Sequence, residues 1–246
     1  MEINLKENER IDDLEYKGLK IIQNKDGFCF GVDSVLLSDY AKNIKKNSKV
    51  VDIGTGTGII SLLLCKKTEL SKIYGIEIQE DVAEMANRSI ILNNLEHKFE
   101  IINTNIKNIT EVLEPHKFDV VVTNPPYKKA DTGVKSIDRK QLISRHEVEC
   151  TLEDVIKASS ELLKPHGKLF MVHRPSRLGD IFALMREYKL EPKIMRLVAP
   201  LSGKEPNMVL VCGIKSAKSD LKIIPTLFVY NVDGSYTKEI DEIYGR

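Results

Sequence analysis

The run Phe118-Asp119-Val120-Val121-Val122-Thr123-Asn124-Pro125-Pro126-Tyr127 constrains this chain more than any other stretch. A β-branched apolar segment stopped by two prolines reads as a strand buried on both faces, of the kind found inside parallel sheets, that ends in a rigid loop. Prolines carry carbonyls but no N–H, and Asn124 adds a side-chain carbonyl, so the loop offers acceptors with little competing donation. An exocyclic amino group on a base or an amide has two hydrogens to place, and its nitrogen lone pair is tied up in conjugation. The Asn124 amide oxygen and the Pro125 carbonyl can hold both hydrogens and leave that lone pair aimed at an electrophile, with Pro126 stiffening the loop and the flat ring of Tyr127 beside it. Taken alone, Asn-Pro-Pro also suits an ordinary turn.

The electrophile is announced upstream. Lys49-Val50-Val51-Asp52-Ile53-Gly54-Thr55-Gly56-Thr57-Gly58 is a strand that runs into a glycine-rich turn, followed by an apolar helix over residues 59–64. Glycines allow positive φ and close approach of backbone to a ligand. The spacing is G-x-G-x-G after an acidic strand end and differs from the G-x-G-x-x-G of dinucleotide folds. A second strand over 72–78 carries Glu77, whose carboxylate can take both hydroxyls of a ribose. Asp52, Gly54, Thr55, Gly56, Gly58 and Glu77 together fit S-adenosylmethionine. In a doubly wound sheet, ligands collect at the carboxyl ends of the strands, so the glycine turn and the Asn124 loop are expected to meet in one crevice.

These residues, in this order and spacing, resemble the motifs of class I S-adenosylmethionine-dependent methyltransferases of the amino-methylating branch. The flanks narrow the resemblance: Phe28-Cys29-Phe30-Gly31-Val32-Asp33-Ser34, Ser144-Arg145-His146-Glu147 and Asn207-Met208-Val209-Leu210-Val211 are similar to segments of the bacterial enzymes that make N6-methyladenosine next to the anticodon, at position 37, of a valine tRNA. The resemblance covers nearly the whole chain. It implies an α/β, Rossmann-like fold: a seven-stranded, mostly parallel sheet with one antiparallel strand and helices on both faces. It also implies a tRNA substrate, a segment around Phe30 folded over the cofactor pocket, and an adenine contact at Asn105, where the family commonly has aspartate. An amide oxygen can accept the same hydrogen bond.

The rest of the chain fits one unit: an N-terminal extension over 1–45 with a hairpin and a helix, a core over 46–215 and a tail over 216–246 docked on the body. Asp33 is placed as an N-cap of the first helix. Residues 81–94 carry a helical apolar stripe, Thr151-Leu152-Glu153-Asp154 is a capping-box pattern, residues 167–172 are the fifth strand, and 194–198 with 208–214 form an antiparallel pair.

At 246 residues and 42% hydrophobic content the chain suits one sizeable core, and a net charge of +1 means that nucleic-acid binding must come from local patches. The long polar segment 128–149 supplies Lys128, Lys129, Arg139, Lys140 and Arg145 as phosphate contacts, with a solvated surface loop as the competing reading. Arg174 and Arg177, beyond the fifth strand, are further phosphate contacts or surface ion pairs. His146 and Glu147 suit RNA contact or structure better than acid–base work. Cys29, Cys65, Cys150 and Cys212 lack any metal-ligand spacing, which favours reduced thiols and no metal. No apolar run approaches the roughly 20 residues of a membrane span and residues 1–10 are too polar for a signal peptide, so a soluble cytoplasmic protein is the default expectation; the oligomeric state is left open, with a monomer expected. The rival functions are a protein glutamine N-methyltransferase, which faces the same amine chemistry, and a module that binds S-adenosylmethionine or RNA without catalysis. DNA adenine methylation would need a target-recognition domain, which is not evident.

Overall fold

Alternation along the central strands sets the architecture. The computed structural model describes residues 4–25, 31–126 and 150–246, and the run after Phe118 forms β6 (Phe118–Thr123) in the middle of an eight-stranded sheet. Val120 and Val122 enter one apolar core and Val121 enters another, as the two-residue period of a strand demands. Both faces are covered, which is why the run shows no polar alternation.

The other strands of this sheet are β3 (Lys49–Ile53), β4 (Lys72–Glu77), β5 (Phe99–Asn103), β7 (Leu163–His173), β8 (Leu190–Ala199), β9 (Met208–Lys215) and β10 (Lys222–Phe228), in the order β10-β8-β9-β7-β6-β3-β4-β5. β9 runs antiparallel to both β7 and β8, and every other neighbouring pair is parallel. The sheet thus has the expected mostly parallel character with one reversed strand, but eight strands in place of seven. The eighth is β10, added by the tail to the outer edge of β8. Pro225 interrupts that segment and its ladder is irregular between Ile224 and Leu227, a proline position that only an edge strand tolerates.

Helices α1 (Val32–Tyr40), α2 (Ile59–Lys67) and α3 (Glu80–Leu92) cover one face, together with the hairpin β1 (Glu9–Asp13) and β2 (Lys20–Asn24) and with the tail helix α7 (Lys238–Tyr244). Helices α4 (Ile109–Val112), α5 (Leu152–Leu162) and α6 (Leu178–Glu187) cover the other. Residues 59–65 of α2 are buried all round, because α1 packs against it on the same face of the sheet. Among the described residues no helix is long and apolar enough to cross a membrane.

Local signals explain the element boundaries. Thr151 opens α5 with a reciprocal box: its hydroxyl accepts the Asp154 N–H at 3.1 Å, and the Asp154 carboxylate accepts the Thr151 N–H at 2.9 Å. β7 follows α5 without a connecting loop, four residues earlier than the apolar run suggests. Asp33 is not the cap of α1. Gly31 takes that position in extended conformation and Asp33 lies in the first turn, which leaves its carboxylate available for a different contact. Cys65, Cys150 and Cys212 are free thiols.

The last residue of β6, Thr123, is wholly buried, and its hydroxyl donates to the Ile53 carbonyl at 3.0 Å, across the junction where β3 and β6 end. Thr123→Val keeps the shape and removes the bond. It is expected to lower stability in urea unfolding by on the order of 1 kcal/mol, because a buried carbonyl loses its donor. A variant as stable as the parent would show that this hydroxyl does not hold the strand ends together.

Candidate active site

The register of three parallel strands levels their carboxyl ends. Ile53 of β3 pairs with Ile76 of β4 on one side and with Thr123 of β6 on the other, so the chain leaves all three strands at one height. From β3 it enters the glycine turn. Gly54 and Thr55 both donate their N–H groups to the Ile76 carbonyl at 3.0 Å, and Gly56 donates to Glu77 Oε2 at 3.0 Å. Gly56 and Gly58 have φ of +56° and +89°, and a Cβ on Gly58 would also lie 3.1 Å from the Phe99 ring. The turn therefore requires glycine at both positions. α2 starts at Ile59, which places the positive end of its dipole at the crevice edge.

Asp52 sits beneath this turn and is wholly buried. Its Oδ2 accepts the Thr55 and Ser61 hydroxyls at 2.7 Å each, while Oδ1 has no hydrogen-bond partner among the described residues. Burial pushes its carboxyl up to about 6; the two hydroxyls oppose this and the charge of Glu77 adds to it. Its position makes Asp52 a support of the turn and of the first helical turn of α2, acting on any ligand through them. Glu77 is buried at the end of β4, where Oε1 accepts the Gln79 backbone and side-chain N–H groups at 3.0 and 3.3 Å. Asn105 follows β5, and its amide oxygen caps a short 3-10 turn by accepting the Lys107 N–H at 2.9 Å.

The Asn124 loop meets the turn at the end of β6. Asn124 is partly exposed, Pro125 buried and Pro126 exposed. Asn124 Nδ2 donates to Asp33 Oδ2 at 3.1 Å and to the Ser34 hydroxyl at 3.3 Å, so Oδ1 is the acceptor atom of that amide. Tyr127, Phe30 and the basic residues Lys128, Lys129, Arg139, Lys140 and Arg145 lie outside the described residues, as do Phe28, His146 and Glu147. Arg174 and Arg177 do follow β7. The Arg174 guanidinium donates to the Asn207 carbonyl at 3.0 Å, and Arg177 pairs with Asp180 at 2.8 Å.

Four polar residues at this end of the sheet escape sequence reasoning. Asp33 and Ser34 hold the Asn124 amide across 90 residues of chain, a contact that no local pattern reveals. Asn103 donates to the carbonyls of Glu77 and Ile78 at 2.8 and 3.0 Å and ties the end of β5 to that of β4. His173 ends β7 and is wholly buried; burial first, and the Arg177 charge second, lower its imidazole to about 4, so it is neutral at physiological pH. Its only sequence signal is a polar residue closing an apolar strand.

A cavity of about 480 Å³ lined by His116, Ser160, Tyr188 and Lys215 lies at the opposite, amino ends of the strands. There the Lys215 ammonium donates to the Ser160 and Leu163 carbonyls and closes the carboxyl end of α5, a structural task. Among the described residues no cluster of His, Cys, Asp or Glu is arranged to hold a metal ion.

The Asp52 environment sets a pH dependence. Its carboxyl titrates near 6 when folded and at the usual 3.8 when unfolded, so the unfolded chain ionises first and stability is lost as pH rises toward 6. Relative to Asp52→Asn, the parent protein is expected to lose on the order of 1 kcal/mol in urea unfolding between about pH 5 and pH 8. A constant difference across that range would mean that Asp52 is already ionised in the folded protein at the lower pH.

The profile of the methyltransferase small domain matches residues 30–188. A Porphyromonas gingivalis protein named tRNA1(Val) (adenine(37)-N6)-methyltransferase is 30% identical over 236 residues, covering 93% of this chain and 91% of its own. A Proteus mirabilis protein of the same name is 28% identical, covering 91% of this chain and 88% of its own. Among solved structures, a protein of Agrobacterium tumefaciens described as a predicted O-methyltransferase superposes with a TM-score of 0.71 at 20% identity, covering 87% of this chain and 95% of that one. A geranyl diphosphate C-methyltransferase from Streptomyces coelicolor, solved with S-adenosyl-L-homocysteine, gives 0.55 at 13% identity, covering 75% and 77%. The structural matches concern the fold, and it is the profile and the relatives that carry the assignment: the chain belongs to the methyltransferase small domain family.

Proposed function

We propose that this chain methylates the exocyclic N6 amine of an adenine in tRNA, adenine 37 of a valine tRNA, with S-adenosylmethionine as donor. The observation that carries the reaction type is the Asn124 amide at the end of β6, held through Nδ2 by Asp33 and Ser34 so that Oδ1 is its acceptor atom. The name shared by relatives that cover nearly the whole chain supports the substrate. A cytoplasmic location accompanies that substrate.

When bound, S-adenosylmethionine supplies a methyl carbon made electrophilic by its sulfonium. The chain's own groups do the rest. Gly54, Gly56 and Gly58, all at positive φ, would let the backbone approach the donor, and the Glu77 carboxylate at the end of β4 would take the ribose hydroxyls. Asn124 Oδ1 and the Pro125 carbonyl accept the two amine hydrogens and direct the nitrogen lone pair outward. The lone pair so directed would face the donor's methyl carbon, and the amine proton would pass to water. No side-chain base is required, because the nitrogen proton becomes acidic once positive charge develops. Tyr127 stacks on the unpaired base, and Lys128, Lys129, Arg139, Lys140 and Arg145 meet phosphates. Arg174 and Arg177 offer phosphate the guanidinium N–H groups left beside their bonds to Asn207 and Asp180.

Asn124→Ala is expected to lower turnover by about 100-fold or more while the cofactor dissociation constant stays within about threefold, since the lost acceptor acts on the amine alone. Labelled S-adenosylmethionine offered with unmodified tRNA, duplex DNA and a glutamine-rich protein fraction tests the substrate. N6-methyladenosine in tRNA alone is the expected result. Label in protein would replace this reading with glutamine methylation, and cofactor binding without transfer to any acceptor would replace it with a binding module.

A further inference from the structure

The N-terminal segment reaches the reacting loop through one carboxylate. Asp33 in the first turn of α1 uses both oxygens: Oδ1 accepts the Ser34 N–H at 2.9 Å, and Oδ2 accepts Asn124 Nδ2 at 3.1 Å. The Ser34 hydroxyl, on a residue only 4% exposed, lies 3.3 Å from the same Nδ2. Gly31 permits this placement, because a Cβ there would stand 2.7 Å from Asp33 Oδ1.

An asparagine amide is nearly symmetric in shape but opposite in hydrogen bonding at its two ends. With Oδ1 toward the substrate it accepts from an amine. Flipped, it would present N–H groups to the amine's own N–H groups, and the grip would become a clash. A carboxylate accepts and does not donate, so Asp33 admits only the Nδ2 end, and a bond to a charged group is worth roughly twice a neutral one.

We infer that Asp33, assisted by Ser34, is a positioning residue that locks the Asn124 amide with its oxygen toward the substrate amine. This rests on the proposed role of Asn124. The competing view is that Asp33 only complements the α1 dipole, a task its Oδ1 already performs.

An exchange of charges between the two positions separates these views. Asn124→Asp alone sets two carboxylates at hydrogen-bond distance, which repel when both are ionised. Asp33→Asn combined with Asn124→Asp restores a donor facing an acceptor, keeps the net charge of the pair, and still turns a carboxylate oxygen toward the amine. Methyl transfer to tRNA is measured at about pH 8.5, above the range in which a carboxylate pair shares a proton, with cofactor binding by calorimetry and folding by circular dichroism.

The inference expects kcat in Asp33→Asn to fall by about 10-fold or more with the cofactor KM within about twofold, Asn124→Asp to fall further, and the double variant to recover at least about 10-fold over Asn124→Asp. A folded, cofactor-binding double variant no more active than Asn124→Asp would overturn it, as would normal kcat in Asp33→Asn. Full turnover in Asn124→Ala would instead remove the role of Asn124 itself, whatever the Asp33 variants show.

Discussion

The parallel pairing of β3 with β6 is the constraint on which the site depends. Val50, Val51, Asp52 and Ile53 stand opposite Val120, Val121, Val122 and Thr123, so the two strands end side by side. A shift of one residue would exchange the apolar faces of β6 and move the Asn124 loop away from the glycine turn. The burial of these valines on both faces makes such a slip costly: each buried branched side chain contributes roughly 1.5–3 kcal/mol. Thr123 fixes the end of the register by hydrogen-bonding across to Ile53.

Beyond that junction the site is held by polar groups aimed at backbone. The Ile76 carbonyl gathers two N–H groups of the turn, Glu77 gathers three from the turn and from Gln79, and Asn103 bridges β4 and β5. These bonds are short-range and largely shielded, so they supply geometry more than net stability. Asp52 shows the cost: Oδ2 of its carboxylate accepts two hydroxyls while Oδ1 has no partner among the described residues, and burial makes its ionisation oppose folding.

Much of this was legible from residue types alone. The glycine turn, Glu77 at a strand end and the Asn124 loop are local signals with a direct physical meaning, and their convergence follows from the topology of a parallel sheet. The parts that escaped have in common a dependence on distant chain. β10 was hidden because Pro225 disguises an edge strand as a tail. Asp33 looked like a cap because any acidic residue before an apolar helix does, and only the folded chain shows that Gly31 takes that place while Asp33 faces Asn124. Asn103 carries no pattern, since its partners Glu77 and Ile78 lie at the end of a neighbouring strand.

The central claim is that one crevice holds the donor and grips an amine between Asn124 and Pro125. A crystal structure with S-adenosylhomocysteine and an adenine-bearing RNA hairpin tests it most directly. The expected result is the adenine N6 within about 3.2 Å of both Asn124 Oδ1 and the Pro125 carbonyl, with Asn124 Nδ2 still on Asp33. An adenine seated away from that loop, with its amine bound by other groups, would contradict it.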